Sequence, residues 1–192
     1  MSPRMGLDRD AVVQAAAELV CTEGMQALSL GQLAKRLAVQ TPSLYNHIAG
    51  LPDLQRELAL LNVLRLGECV AHAVVAKSGP AALAALAQAY REHIKACPSL
   101  YQSTLRASGV QEQPDPRLEA AEAQVLETVL AVMASFGLAG DEALHAVRIL
   151  RSVVHGFATL EAAGGFGLPL DCDESFGRML DWMIRAIEPP NK

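Results

Sequence analysis

Between Ser29 and Gly50 the helix start and stop signals follow one another so closely that no helix they define is long enough to be stable alone. Ser29 stands three residues before Gln32, a capping-box spacing, and Leu33, Ala34 and Leu37 then share one side of a helix that ends near Ala38. The chain restarts at Thr41-Pro42, a capping residue followed by proline at the first helical position. Leu44 and Ile48 are the i, i+4 anchors of this segment, and Gly50 stops it. Two such short helices need a floor. The preceding segment supplies one: a helix from about Arg9 to Glu23, with Asp8 as N-cap, Gly24 as the residue past its end, and Val12, Ala15, Ala16, Leu19 and Val20 on one face.

Beyond this three-helix head the pattern stays helical. A long helix is expected from Pro52 to about Ala76, then others over Ala81–Ala96, Ser99–Ala107, Leu118–Phe136, Asp141–Ala163 and Glu174–Ile187. Cys97-Pro98 ends the second of these, because the residue before proline disfavours helix. Ser108–Pro116 reads as a surface loop, Gly164–Pro169 as a connection, and Pro189-Pro190 as the end of the fold. The 192 residues include 32 Ala and 28 Leu and show no strand-period alternation, so the expected class is all-α, with nine helices. We divide the chain into a three-helix head, residues 1–51, and a six-helix body, residues 52–192, with the long fourth helix joining the two.

Sixteen basic against twenty-one acidic side chains give a formal charge of -5, which excludes a protein that coats nucleic acid by bulk charge but permits a local reading surface. No segment is apolar and long enough to span a membrane, and Met1–Asp10 lacks the apolar stretch of a secretory signal, so a cytoplasmic location is expected. The four cysteines, Cys21, Cys69, Cys97 and Cys172, form no CxxC pair and read as reduced packing thiols.

In a helix-turn-helix the second helix enters the major groove, so its outward side chains must be hydrogen bonders. Thr41, Ser43, Asn46 and His47 qualify, and Tyr45 offers a hydroxyl for a phosphate and a ring for a thymine methyl. Periodicity alone fits equally a helical hairpin with a solvated polar face. The residues go further. Ala27-Leu28-Ser29-Leu30, Leu33-Ala34-Lys35-Arg36-Leu37-Ala38-Val39 and Pro42-Ser43-Leu44-Tyr45-Asn46-His47-Ile48, with Glu23-Gly24 ending the first helix, resemble the DNA-binding head of the TetR family of bacterial transcriptional regulators. The likeness runs from Asp8 to about Leu60. It implies that Thr41, Ser43, Tyr45, Asn46 and His47 contact bases and phosphates, with Gln32, Lys35 and Pro42 in the same set, and that the partner is double-stranded operator DNA bound by a homodimer. Two positions depart from the family's habit: Leu51 and Gly31 stand where basic residues often grip phosphates.

On the eighth helix His145, Arg148, Ser152, His155 and Thr159 form a narrow polar stripe in an otherwise apolar circumference. Such a helix needs burial on several sides, and Gly156 points to the close approach of a neighbour. In TetR-like regulators the last two long helices pair with those of a second subunit. That resemblance implies an interface of Ile149, Val153, Phe157 and Leu160 with Phe176, Leu180, Met183 and Ile187. Val154–Glu161 also resembles the His-Gly signature of one C-terminal subgroup. A small-molecule effector would find its residues among Cys69, His72, Tyr90, His93, Cys97, Tyr101, Met133, Phe136, Arg148, Ser152 and His155, although the polar stripe reads more readily as a solvent face, and the aromatic residues, with Trp182 and Met133, more readily as core. Cys69-x-x-His72 and His93-x-x-x-Cys97 have helical metal-ligand spacing, but each is a lone pair, so neither a metal nor a cofactor is expected. A helical enzyme or metal-binding protein using His72, His93, Cys97, His145 or His155 is the competing class, and no nucleophile, base and orienter can be assembled for it from spacing.

Overall fold

The computed structural model describes residues 7–102 and 115–187, and every regular element among them is helical. These are α1 (Arg9–Glu23), a 3-10 turn at Met25–Ala27, α2 (Leu30–Arg36), α3 (Thr41–Leu44), α4 (Leu51–Ala73), α5 (Gly79–Ala96), α6 (residues 98–102), α7 (Pro116–Ala134), α8 (Gly140–Ala162) and α9 (Cys172–Ile187). The remainder of the helix expected over Ser99–Ala107, most of the Ser108–Pro116 loop and Pro189-Pro190 lie outside the described residues.

The chain forms two compact units. One comprises described residues 7–63, 97–102 and 115–118; the other comprises 64–96 and 119–187. The long α4 contributes its first half to one and its second half to the other.

In the first unit, local chemistry sets the helix ends. The Asp8 carboxylate accepts from the Ala11 amide at 2.7 Å, and the Ser29 hydroxyl accepts from the Gln32 amide at 3.2 Å. Gly24 ends α1 at φ +86°, where an added Cβ would sit 2.6 Å from the Gln26 side-chain amide. The turn after α2 is a Schellman motif: the Val39 amide donates to the Ala34 carbonyl at 2.9 Å, the Ala38 amide donates to the Lys35 carbonyl at 3.2 Å, and Ala38 takes φ +53°. An alanine in this left-handed position costs about 1 kcal/mol, which the two bonds offset. Val12, Ala16, Leu19 and Val20 of α1, Leu33 and Ala34 of α2, Leu44 and Ile48, and Leu54 and Leu58 of α4 form the core. The floor expected beneath the two short helices is therefore present. Leu100 of α6 completes it at 1 % exposure.

One cysteine expectation is overturned. Cys21 and Cys97 are joined by a disulfide with Cα atoms 5.1 Å apart, while Cys69 and Cys172 are free. Spacing could not reveal the pair, because the chain brings together residues 76 apart. Closing a loop of that length removes about 4–5 kcal/mol of unfolded-chain entropy in the loop-closure picture.

The second unit packs α5 against α8 and α9, with Leu83, Leu86, Ala87 and Ile94 facing Ala146, Leu150, Val154 and Ala158 in a buried layer. Gly67 of α4 lets Val125 of α7 approach, since a Cβ there would lie 3.3 Å from it. Gly156 shows no such approach: a Cβ would meet nothing within 4 Å, so the close neighbour expected there is not found among the described residues. Helix ends also shift slightly. α4 begins at Leu51, α5 at Gly79, α7 at Pro116 and α9 at Cys172, each one or two residues before the position expected.

Candidate nucleic-acid interface

The recognition segment is shorter in regular helix than its apolar spacing suggests. Gln40, not Thr41, is the N-cap, Thr41 is already helical, and α3 closes at Leu44. From there the chain tightens. The Tyr45, Asn46 and His47 amides donate to the Pro42, Ser43 and Leu44 carbonyls three residues back at 3.3, 3.4 and 2.9 Å, and Gly50 turns the chain at φ +112°. Side chains nevertheless sort as an α-helical face would: Leu44 and Ile48 are 0 % and 2 % exposed, whereas Tyr45 is 59 % exposed. Asn46 and Pro42 are exposed, and Thr41, Ser43 and His47 are half-buried. Gln32 and Lys35 are exposed on α2. Gly31 stands in open space and Leu51 is half-buried, so neither offers a cation to a phosphate.

A clamp holds the end of this segment. Arg9, the first residue of α1, donates from Nη1 to the His47 carbonyl at 2.6 Å and from Nη2 to Asp53 at 3.0 Å and Glu57 at 2.9 Å. Asp53 in turn accepts from the Ala49 amide at 2.8 Å, and Glu57 also accepts from Arg117. Burial, the largest influence on Asp53, pushes its carboxyl up, yet the Ala49 and Arg9 hydrogen bonds outweigh it and hold the group below the usual carboxylate range. Glu57 is held low against burial in the same way by Arg117 and Arg9. Sequence reading had placed Arg9 only within the first helix. No spacing rule joins residues 38 to 48 positions apart. Arg9→Ala is expected to lower the unfolding free energy by about 1–2 kcal/mol, limited by the guanidinium's partial exposure; urea denaturation followed by circular dichroism measures it.

The body residues expected around an effector fall in both units. Cys97 lies in the disulfide against the head core, and Tyr101 is buried in that same first unit. In the second unit, Cys69 and His72 of α4 and His93 of α5 line an open groove of about 610 Å³, with Glu68, Glu92 and three alanines. Burial, followed by the charge of Arg65, pushes the His93 imidazole down to about 4, so it is neutral at pH 7. Among the described residues no three histidine, cysteine or carboxylate side chains are arranged to hold a metal ion. Tyr90 and Met133 are buried at 8 % and 0 %, as core side chains would be. Phe136 and His155 are half-buried, and Arg148 and Ser152 are exposed with His145.

The expected interface residues also divide. Ile149 and Leu160 of α8 are 56 % and 52 % exposed, whereas Phe176, Leu180 and Met183 of α9 are 2 %, 6 % and 8 % exposed because they pack inside the chain's own core. Val153, Phe157 and Ile187 are half-buried. Trp182, read as core, is 69 % exposed on α9.

Known proteins share this arrangement. The family model described as "Tetracyclin repressor-like, C-terminal domain" matches residues 83–183. The chain is 37 % identical to YobS, an HTH-type transcriptional regulator of Bacillus subtilis, over all of this chain and 98 % of that one. A solved protein of unknown function from Rhodococcus sp. RHA1 superposes with a TM-score of 0.85 at 24 % identity, covering 98 % of this chain and 100 % of that one. A TetR variant from Acinetobacter baumannii, solved in complex with minocycline, superposes with a TM-score of 0.69 at 23 % identity over 94 % of this chain and 96 % of that one. With the body matched by a family model over more than half its length and the whole chain aligned to an HTH-type regulator, this protein belongs to the TetR family of DNA-binding transcriptional regulators.

Proposed function

We propose that this regulator is an effector-responsive repressor that binds a pseudo-palindromic operator as a homodimer in the cytoplasm. Residues 1–51 serve as its reading head and residues 52–192 as its effector-binding and dimerisation body. The observation that carries this reading is the recognition segment: Tyr45 and Asn46 outward, Leu44 and Ile48 locked in the core, and the His47 carbonyl fixed by Arg9. Thr41, Ser43, Tyr45, Asn46 and His47 meet base edges and phosphates, and Gln32 and Lys35 lie beside them along the backbone. The exposed apolar side chains Ile149, Leu160 and Trp182 and the open space at Gly156 favour α8 and α9 as the surface taken by a second copy. Two-fold symmetry of that pair then demands a two-fold operator.

The largely apolar groove beside His93, edged by Glu68 and Glu92, is where a small molecule has room in the body, and the Acinetobacter relative was solved in complex with one, minocycline. To release the operator, the effector must bind the DNA-free conformer more tightly than the DNA-bound one. Among the described residues of the recognition face Lys35 is exposed and Gly31 and Leu51 carry no charge, so salt dependence is the informative test. With about three to five phosphates neutralised per head, the logarithm of affinity should fall with the logarithm of salt at a slope of about -3 to -4.5 for each head engaged. Titrating a labelled duplex from the region beside the protein's own coding sequence at four salt concentrations measures it. A slope near zero, or no binding at low salt, contradicts the reading.

A further inference from the structure

The Cys21–Cys97 bond fastens the last turn of α1 to the residue that follows α5. We propose that Cys21 and Cys97 form a reversible thiol–disulfide site, with low-molecular-weight disulfides and thiols as its reactants, whose state sets how firmly residues 97–102 are held on the head and thereby the head's affinity for operator. The second part rests on the operator-binding function proposed above. Four observations carry it.

Cys21 is exposed, so a small thiol or disulfide reaches it from solvent, while Cys97 is half-buried and packs against the head core. That core is the one that seats Leu44 and Ile48, the two anchors of the recognition segment. Among the described residues of α6, Leu100 enters this buried cluster and Tyr101 is buried at 3 %, so reduction removes the covalent tie of residues 97–102 to α1 and leaves them held by side-chain packing. Finally, a protein that works on DNA does so in a compartment whose thiol pool keeps most cysteines reduced, and a disulfide found there is characteristically transient and responsive.

The chemistry balances without a metal or a bound cofactor. The Cys21 thiolate attacks one sulfur of a small disulfide RSSR, forming a mixed disulfide and releasing RSH. The Cys97 thiolate then attacks the Cys21 sulfur, closing the Sγ–Sγ bond and releasing the second RSH. Two electrons pass from the cysteine pair to RSSR, and the two thiol protons end on the released thiols. Reduction by 2 RSH runs the same steps backwards. In the closed form the head is already ordered before it meets DNA, whereas the open form must be ordered on binding and so binds more weakly.

The test uses the full chain equilibrated with glutathione disulfide or with dithiothreitol, followed by alkylation and mass mapping, amide hydrogen exchange, and titration of the duplex from beside the coding region. Oxidised protein is expected to protect Cys21 and Cys97 from alkylation and to leave Cys69 and Cys172 reactive. Reduction is expected to restore both thiols, speed exchange across residues 97–102 and weaken duplex binding at least fivefold. Cys21→Ser is expected to behave as reduced protein under both conditions. Failure of glutathione disulfide to close the pair, exchange over 97–102 that ignores redox state, affinities equal within twofold, or redox sensitivity that persists in Cys21→Ser would each overturn the proposal. If neither form binds the duplex but exchange at 97–102 still follows the redox state, the clamp stands and the operator-binding function fails.

Discussion

Tyr45→Ala combined with His47→Ala is expected to weaken operator binding at least a hundredfold while leaving helix content unchanged. The size follows from the position of the two side chains. Each well-placed base or phosphate contact is worth about 1–3 kcal/mol, and two from the middle of that range, about 4 kcal/mol together, exceed the roughly 2.7 kcal/mol that a hundredfold represents. The fold is spared for structural reasons. Tyr45 projects into solvent, and what Arg9 holds at position 47 is the backbone carbonyl, which alanine retains. Tyr45→Phe separates the phosphate-seeking hydroxyl from the ring and is expected to lose about tenfold. Fluorescence anisotropy with a labelled duplex gives the affinities, and far-UV circular dichroism gives the helix content.

A large loss of stability is expected when one residue of the second unit is replaced. Arg91 of α5 is 1 % exposed, yet it carries a full charge. It is neutralised on three sides. Nε and Nη2 donate to the two Glu161 oxygens at 2.7 Å each, Nη1 lies 2.7 Å from Asp173, and the guanidinium sits 4.6 Å from the Phe176 ring centre and 5.5 Å from that of Phe157. Glu161 is held below the usual carboxylate range, first by its hydrogen bonds from Arg91, against the opposing effect of burial, and with help from Lys95. Arg91→Ala leaves that carboxylate with Lys95 alone and opens a void beneath two aromatic rings. A loss of about 3–5 kcal/mol is expected, read from urea denaturation. Asp173→Asn, whose side chain is 80 % exposed, should cost less than about 1 kcal/mol. If Arg91→Ala costs as little as Asp173→Asn, the cluster is not what joins α5 to α8 and α9.

What the sequence made legible was local. Asp8, Ser29 and Gly24 mark helix ends because a cap and its partner are three or four residues apart. Leu44 and Ile48 declare the inward side of the recognition segment because one helical turn separates them. Helix ends were misplaced by a residue or two where frayed turns blur them, as at Thr41, which is helical rather than capping. The devices that connect distant parts left no such trace: Arg9 to His47, Arg91 to Glu161 and Cys21 to Cys97 join residues 38, 70 and 76 positions apart. Amphipathic spacing says that a face is covered but not by which chain. Phe176, Leu180 and Met183 show this limit, since their stripe is covered from within, while Trp182 between them stands in solvent. The expected effector residues divide for a related reason. Residue type alone gathered Cys97 and Tyr101 with His93, and the fold separates them into different units.

Hydroxyl-radical footprinting of the wild-type protein on the DNA beside its coding region tests the central claim most directly. Two heads reading successive major grooves should protect two symmetric patches on one face of the duplex, centred about 10–10.5 base pairs apart or a multiple of that spacing, and both should vanish with Tyr45→Ala plus His47→Ala. A single asymmetric patch, or protection that survives the double substitution, would contradict it.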